Sequence, residues 1–474
     1  MGSAYDAVVV GAGPNGLAAA ITLAHAGRSV VVLEAEPRAG GGCRSEDLTL
    51  PGYVHDTCSA VHPLAAASLF LRTLPLAEHG LQLVHPEVPL AHPLDGAEPV
   101  LLQRDVDATA AALGADGAAY RRLFGPLVRG VDRVLEEVHG PLRPPRHPLT
   151  LAGFGLRAMW PASYLARAVF RGEPARAMLG GMAGHSMLPL EKPFTAAAAL
   201  LLGTLGHSHG WPFVRGGSQA LSDAMVGVLE DAGGEVITGR RVASMADLPA
   251  AKAVLFDLTP RQVVGIAGGA LGDRYRRALE GFRYGPGVFK LDWALSAPIP
   301  WRSSGCGRAG TVHLGGTLDE VAAGEAAVWR GEHPERPYVL LAQPSLFDDS
   351  RAPAGKHTAW AYCHVPSGST FDMTERIEAQ VERFAPGFRD IIEARSAMDP
   401  AAMERHNANY IGGDINGGVQ DIGQLFTRPV ARANPYTTSN PRLFICSSST
   451  PPGGGVHGMC GHFAARAALA GVLA

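Results

Sequence analysis

Near its start the chain reads Tyr5-Asp6-Ala7-Val8-Val9-Val10-Gly11-Ala12-Gly13-Pro14-Asn15-Gly16-Leu17, and few folds accommodate that run. A short buried strand enters a Gly-x-Gly-x-x-Gly turn, and an Ala-rich helix follows. After the helix come Gly27 and the apolar strand Ser29-Val30-Val31-Val32-Leu33, which ends on Glu34. Strand, glycine turn, helix, strand and acid is the order a dinucleotide needs. Gly11 permits the tight turn, Gly13 lets the backbone approach a pyrophosphate, and Gly16 lets helix and strand pack closely. The helix opens with Pro14 and Asn15, and its N-terminus offers free N–H groups to the phosphates. Glu34, about 20 residues on, can bind ribose hydroxyls.

At 474 residues the chain is long enough for two or three domains. Its 46% hydrophobic and 18% charged content is that of a globular protein with a large core. A net charge of −3 argues against nucleic acid or any strongly anionic partner. Cys43, Cys58, Cys306, Cys363, Cys446 and Cys460 contain no Cys-x-x-Cys pair, and no signal peptide precedes Val8. The expectation is reduced thiols in a cytoplasmic protein. No apolar run reaches the roughly 20 residues of a membrane span, and membrane association is not the expectation. The most apolar stretch, Thr195 to Leu205, ends in Gly206-His207. His207-Ser208-His209 lacks further ligands at metal spacing and reads as loop or pocket wall; no metal site is expected.

The N-terminal unit closes near residue 65. A mostly helical segment is expected from Ala66 to Gly206. Gly216-Gly217-Ser218 opens a helix to about Ala232, and the strand Glu235–Thr238 follows, a second βαβ-type element. Strand-like runs at Gly287–Leu295, Tyr338–Ala342 and Thr358–His364 suggest an antiparallel or mixed sheet. A helix follows at Asp372–Phe384. The strand Arg442–Cys446, a Pro/Gly turn and the helix His462–Leu473 close the chain. The fold class is α/β: a Rossmann-type dinucleotide domain from 1–65, 210–265 and 430–474, with a discontinuous substrate domain from 66–209 and 266–429.

Three further segments carry chemistry. After Glu34 and Ala35, the cluster Gly40-Gly41-Gly42 can bring more backbone N–H groups to the pyrophosphate, with Arg38 and Arg44 to offset its charge. Near the C-terminus, Pro452-Gly453-Gly454-Gly455-Val456-His457-Gly458-Met459-Cys460-Gly461 leads bare backbone into a helix N-terminus. A flavin needs such an end, because its reduction builds negative charge that a helix dipole stabilises. His457 can act there as acid or base near neutral pH, and Cys460 can have a lowered pKa. Lys290, in the apolar run Val288–Trp293, needs a partner or a purpose: a structural salt bridge or a place at the reacting centre. Tyr410, Asp414 and Asn416 lie in a glycine-rich segment that can line a pocket. Val242 completes the cofactor-binding candidates.

Taken together these segments resemble the FAD-dependent amine oxidase and phytoene desaturase superfamily over essentially the whole chain. The resemblance is greatest to the branch that contains pyridine-nucleotide-disulfide oxidoreductase domain-containing protein 2. It rests on Gly11–Gly16, on Leu33-Glu34-Ala35 with Arg38 and Gly40-Gly41, and on Pro212 with Gly216–Ser218. Gly285–Trp293, Asn409–Gly418 and Pro452–Gly461 complete it. The resemblance implies FAD rather than NAD. It also implies that Lys290 matches a lysine that holds a water against flavin N5. Many relatives read Gly-Gly-Arg where this chain has Gly40-Gly41-Gly42, with Arg44 the next cation. Desaturases have proline at the position of His457.

The expected function is therefore an FAD-dependent oxidoreductase. A C–H or C–N bond of a largely apolar small molecule gives a hydride equivalent to flavin N5, and oxygen or a quinone reoxidises the flavin. Lys290, His457 and Tyr410 are the catalytic candidates. Two alternatives stand beside it: a carotenoid-type desaturase or isomerase at a membrane surface, and a flavin-loaded binding protein without turnover.

Overall fold

Five parallel strands gather the two ends of the chain into one sheet in the computed structural model, which describes residues 5–474. Their order is Leu443–Ile445, Ala251–Phe256, Tyr5–Val10, Val30–Leu33, Glu235–Ile237. Ala7 is in register with Ala253 on one side and with Val30 on the other. Strands buried on both faces read as continuous apolar runs, which is why Val8-Val9-Val10 and Val30-Val31-Val32-Leu33 show no alternation. Helices Pro14–His25, Gln219–Asp231 and Met459–Leu469 cover one face. Helices Pro260–Ala267 and Asp273–Glu280 cover the other.

The first and last helices cross so closely that a methyl group at Gly461 would run into the Asn15 carbonyl oxygen. That crossing brings the C-terminal glycine segment back onto the glycine turn.

A second sheet of seven strands is mixed, in the order Ile392–Met398, Gly287–Leu295, His357–Val365, Val339–Ala342, Ala309–Leu314, Val88–His92, Val100–Leu102. Only the pairing of Val88–His92 with Ala309–Leu314 is parallel. One face carries the helices between Gly117 and Ser208, and the other carries Thr374–Phe384.

The segment from Ala66 to Gly206 is mostly helical, as expected, and it also gives two strands to this sheet. Pro89, His92 and the turn before Val100 interrupt the apolar pattern that would have marked them. His207 and Ser208 lie in the helix Thr195–Ser208 rather than a loop, and His207 Nε2 bonds the Tyr120 hydroxyl at 2.7 Å. The last helix begins at Met459, three residues before the expected start. Among the described residues no helix is long and apolar enough to cross a membrane, and all six cysteines are free.

Candidate functional site

The glycine turn is built as its spacing requires. Gly11 has φ +100°, a left-handed conformation that favours glycine. A side chain at Gly16 would strike the Gly11 carbonyl oxygen. A side chain at Gly13 would come to 2.7 Å from Asp257 Oδ2. The helix therefore starts tight against the ends of two strands, with no side chain between its first amides and the space in front of them.

Two carboxylates hold this turn. Glu34 Oε2 accepts the Ala12 N–H at 2.7 Å, and its Oε1 accepts the Glu36 N–H at 2.9 Å. Each oxygen keeps a second lone pair for a ligand hydroxyl. The other carboxylate is Asp257, at the end of the strand Ala251–Phe256; its Oδ2 accepts the Gly16 N–H at 2.9 Å. Burial pushes Asp257 up to about 7, against the pull of the Gly16 amide, and the nearby Glu34 charge adds to the rise. Asp257 is not among the residues expected from the sequence. The signal was available: Ala253-Val254-Leu255-Phe256 ends on an acid, as Val30–Leu33 ends on Glu34.

The second glycine cluster lies on the first. Gly40 donates to the Ala12 carbonyl at 2.9 Å, and a Cβ at Gly41 would be 3.1 Å from the Gly13 Cα. Gly42 has no room for a side chain because the Tyr410 hydroxyl fills that space.

A cavity of about 360 Å³ runs from this turn into the second sheet. Gly11, Gly13, Pro14, Asn15, Glu34, Ala35, Gly41, Gly42, Arg44 and Val242 line its nucleotide end, and Tyr410, Gly455 and Val456 line its middle. Gly16 and Gly40 shape the turn from behind without facing the cavity. Arg44 is buried, donating to the His406 carbonyl at 2.8 Å. Arg38 is instead more than half exposed and faces Asp223 at 3.8 Å, outside the cavity. The long side chain follows solvent, where its charge is hydrated.

At the far end the wall is Leu202, Trp211, Leu340, Trp360 and Tyr362, with His185 among them. Trp360 and Tyr362 stack at 5.6 Å. His185 Nε2 lies 3.0 Å from His313 Nε2. Burial lowers His185 to about 3, so it is neutral at physiological pH. Nothing in the sequence marked His185, because Gly184-His185-Ser186 has no motif around it.

Four candidate residues, His457, Cys460, Asp414 and Lys290, take places other than those expected. His457 does not line the cavity. Its Nδ1 accepts the Met459 N–H at 3.1 Å, so Nε2 carries the proton and donates to the Gly453 carbonyl at 3.2 Å. Burial lowers it to about 4. A ring with both nitrogens engaged inside its own loop holds the glycine segment in shape and has no free atom for acid–base work near neutral pH.

Cys460 is likewise turned inward, and burial pushes its thiol up to about 11 rather than down. Asp414 accepts amides from Gly285, Asn416 and Gly418 and so ties the glycine-rich loop together. Of that loop, Asn416 reaches the cavity wall.

Lys290 is the fourth. Its cross-strand partner is Tyr362 and that of Asp292 is Trp360, so all four side chains leave the same face of the sheet. Yet Lys290 stops behind the aromatic wall. It is 2% exposed, ion-paired with Asp292, and 5.8 Å from the centre of the Trp360 ring. The carboxylate two residues along the strand captures the ammonium before it reaches the cavity. Asp292 also faces His55 Nδ1 at 3.6 Å, and burial with the Lys290 charge lowers that histidine to about 3.

The comparisons agree with this architecture. Residues 9–70 match the family model of the NAD(P)-binding Rossmann-like domain. Over 98% of its length the chain is 26% identical to pyridine nucleotide-disulfide oxidoreductase domain-containing protein 2 of Rattus norvegicus, with 93% of that protein covered. It is 30% identical to hydroxyneurosporene desaturase of Cereibacter sphaeroides across half of each chain. Its fold is that of cyclohexylamine oxidase from Brevibacterium oxydans, with a TM-score of 0.59 at 16% identity and 98% of each chain covered.

FAD fits the residues present. Two glycine clusters leave bare backbone at a helix N-terminus, Glu34 keeps lone pairs for a ribose, and the C-terminal glycines line the continuation of the same cavity.

Proposed function

We propose that the protein is an FAD-dependent oxidoreductase that takes a hydride equivalent from a C–H or C–N bond of a largely apolar small organic molecule. One observation carries this reading: a single cavity joins the dinucleotide turn to a chamber walled by Trp211, Leu340, Trp360 and Tyr362. When bound, the flavin supplies the two-electron acceptor.

The chain's own residues do the rest. Glu34 and the turn amides bind the adenosine half, and the aromatic wall excludes water from the chamber. The carboxylates lining the cavity, Glu34, Glu36 and Asp257, all lie at its nucleotide end. An ammonium at the far end would lose its hydration with no charge to pair with, which favours a neutral substrate. His185 Nε2 is taken by His313, so Nδ1 is the atom left to meet a bound molecule. The neutral ring offers Nδ1 as donor or acceptor according to its tautomer, and with a pKa near 3 it is a poor general base at neutral pH.

Anaerobic titration of the holoprotein with a panel of apolar amines, alcohols and polyenes tests the reading. Bleaching of the flavin by a neutral apolar donor is the expected result. A holoprotein that only dithionite reduces would leave a flavin-loaded binding protein. The relative named as a desaturase supports a second reading, removal of hydrogen from a polyene, and a product with an added double bond would select it.

A further inference from the structure

The segment from His139 to Gly172 carries Arg143, Arg146, Arg157, Arg167 and Arg171 and not one Asp or Glu, in a chain whose net charge is −3. The helix Pro148–Ala158 within it is apolar on both sides. Its inner face buries Phe154 and Ala158 against the helix Thr195–Ser208. Its outer face presents Leu149, 88% exposed, and Leu156, 63% exposed, two turns apart and therefore on one side. Met159, Trp160 and Tyr164 are exposed at and beyond the corner that follows. The patch continues to the exposed Phe426, which packs on Phe194 at 5.3 Å, while the Phe194 amide donates to the Met159 carbonyl.

A helix that is apolar all round belongs in a core or against lipid, and this one has solvent on its outer side. The flanking arginines are little neutralised. Arg157 hydrogen-bonds the Gly153 carbonyl of its own helix and Arg143 the Glu136 carbonyl, while Arg167 pairs with Asp319. The acids at the edge, Glu136 and Glu137, are engaged by His147. Exposed leucines, a tryptophan and a tyrosine at the rim, and five arginines in a stretch with no Asp or Glu match an interface with anionic headgroups above acyl chains.

We infer that this face docks on an anionic lipid bilayer through Leu149, Leu156, Met159 and Trp160, with Arg143, Arg146 and Arg157 contacting headgroups. The position suits an apolar substrate. The Met159–Trp160 corner is hydrogen-bonded to the start of the helix Thr195–Ser208 through Phe194 and Ala196, and Leu202 of that helix lines the cavity. The inference does not rest on the proposed reaction.

Vesicle flotation tests it with the full-length protein and two lipid compositions, phosphatidylcholine alone and phosphatidylcholine with phosphatidylglycerol. The protein is expected to float with the anionic vesicles, to bind the neutral ones more weakly, and to be released by salt. Leu149→Glu with Leu156→Glu should abolish flotation; both sites are at the surface, so circular dichroism and melting temperature should match wild type. Replacing Arg143, Arg146 and Arg157 by Gln should remove the preference for phosphatidylglycerol. No flotation of wild type, or undiminished flotation of the folded leucine variant, would overturn the inference. So would a wild-type dimer, seen by light scattering without lipid, that the leucine variant abolishes, because the face would then belong to a second copy of the chain.

Discussion

The amide of Gly16 donates to the Asp257 carboxylate across 2.9 Å, tying the first turn of the N-terminal helix to a strand some 240 residues later. The N-cap of that helix is Gly13, which has no side chain to satisfy the free amides. Asp257 caps it from outside, where a carboxylate is also favoured by the helix dipole. The glycine turn is therefore held on both sides by acids, Glu34 through Ala12 and Asp257 through Gly16.

Asp257 makes the stability of the flavin-free protein depend on pH. Its pKa in the fold is about 7, above the ordinary value of 3.8, so the fold prefers the protonated acid. Its contribution to stability is complete below about pH 4 and is lost as pH rises through 7, at about 1.4 kcal/mol for each unit of displacement. Asp257→Asn, which still offers an oxygen to Gly16, should flatten melting temperature between pH 5 and 8 relative to wild type. Parallel profiles for the two proteins would show that Asp257 is ionised throughout.

Glu34→Ala removes the acceptor of the Ala12 amide and the group proposed to bind the ribose. FAD affinity should fall by about 1–3 kcal/mol, the range for hydrogen bonds to a charged group. Calorimetric titration of the apoprotein measures it. An unchanged dissociation constant would move the ribose contact to another residue.

Lys290→Met leaves Asp292 buried without its partner, and loss of one member of a buried pair costs about 3–5 kcal/mol. Melting temperature should drop sharply, and adding Asp292→Leu should recover much of it. The rate of flavin reduction per bound FAD should stay near wild type. A rate loss of about 10²-fold at unchanged melting temperature would instead put the lysine at the reacting centre.

The dinucleotide turn was legible because its chemistry is local. Gly11, Gly13 and Gly16 are needed for backbone reasons that the spacing states, and Glu34 ends the next strand. The strands Gly287–Leu295 and Val339–Ala342 were legible for the same reason, the first as an alternating run and the second as a short continuous apolar one.

What was not legible depends on partners far along the chain. Lys290 and His457 carry the right chemistry, but Asp292 in one case and the Gly453 carbonyl with the Met459 amide in the other use it up within the structure. His185 acts through His313, which no local pattern connects to it, and the acid that ends Ala253–Phe256 does not by itself say that its partner is Gly16. Val88–His92 is a strand only because Ala309–Leu314 arrives beside it.

The central claim is that this turn holds FAD, and the flavin content of the purified protein tests it most directly. The protein should be yellow, with a stoichiometric flavin released on denaturation and identified as FAD. Gly13→Leu, whose side chain would be driven into Asp257 or the pyrophosphate space, should be colourless. A colourless wild-type protein that takes up no added FAD would contradict the account.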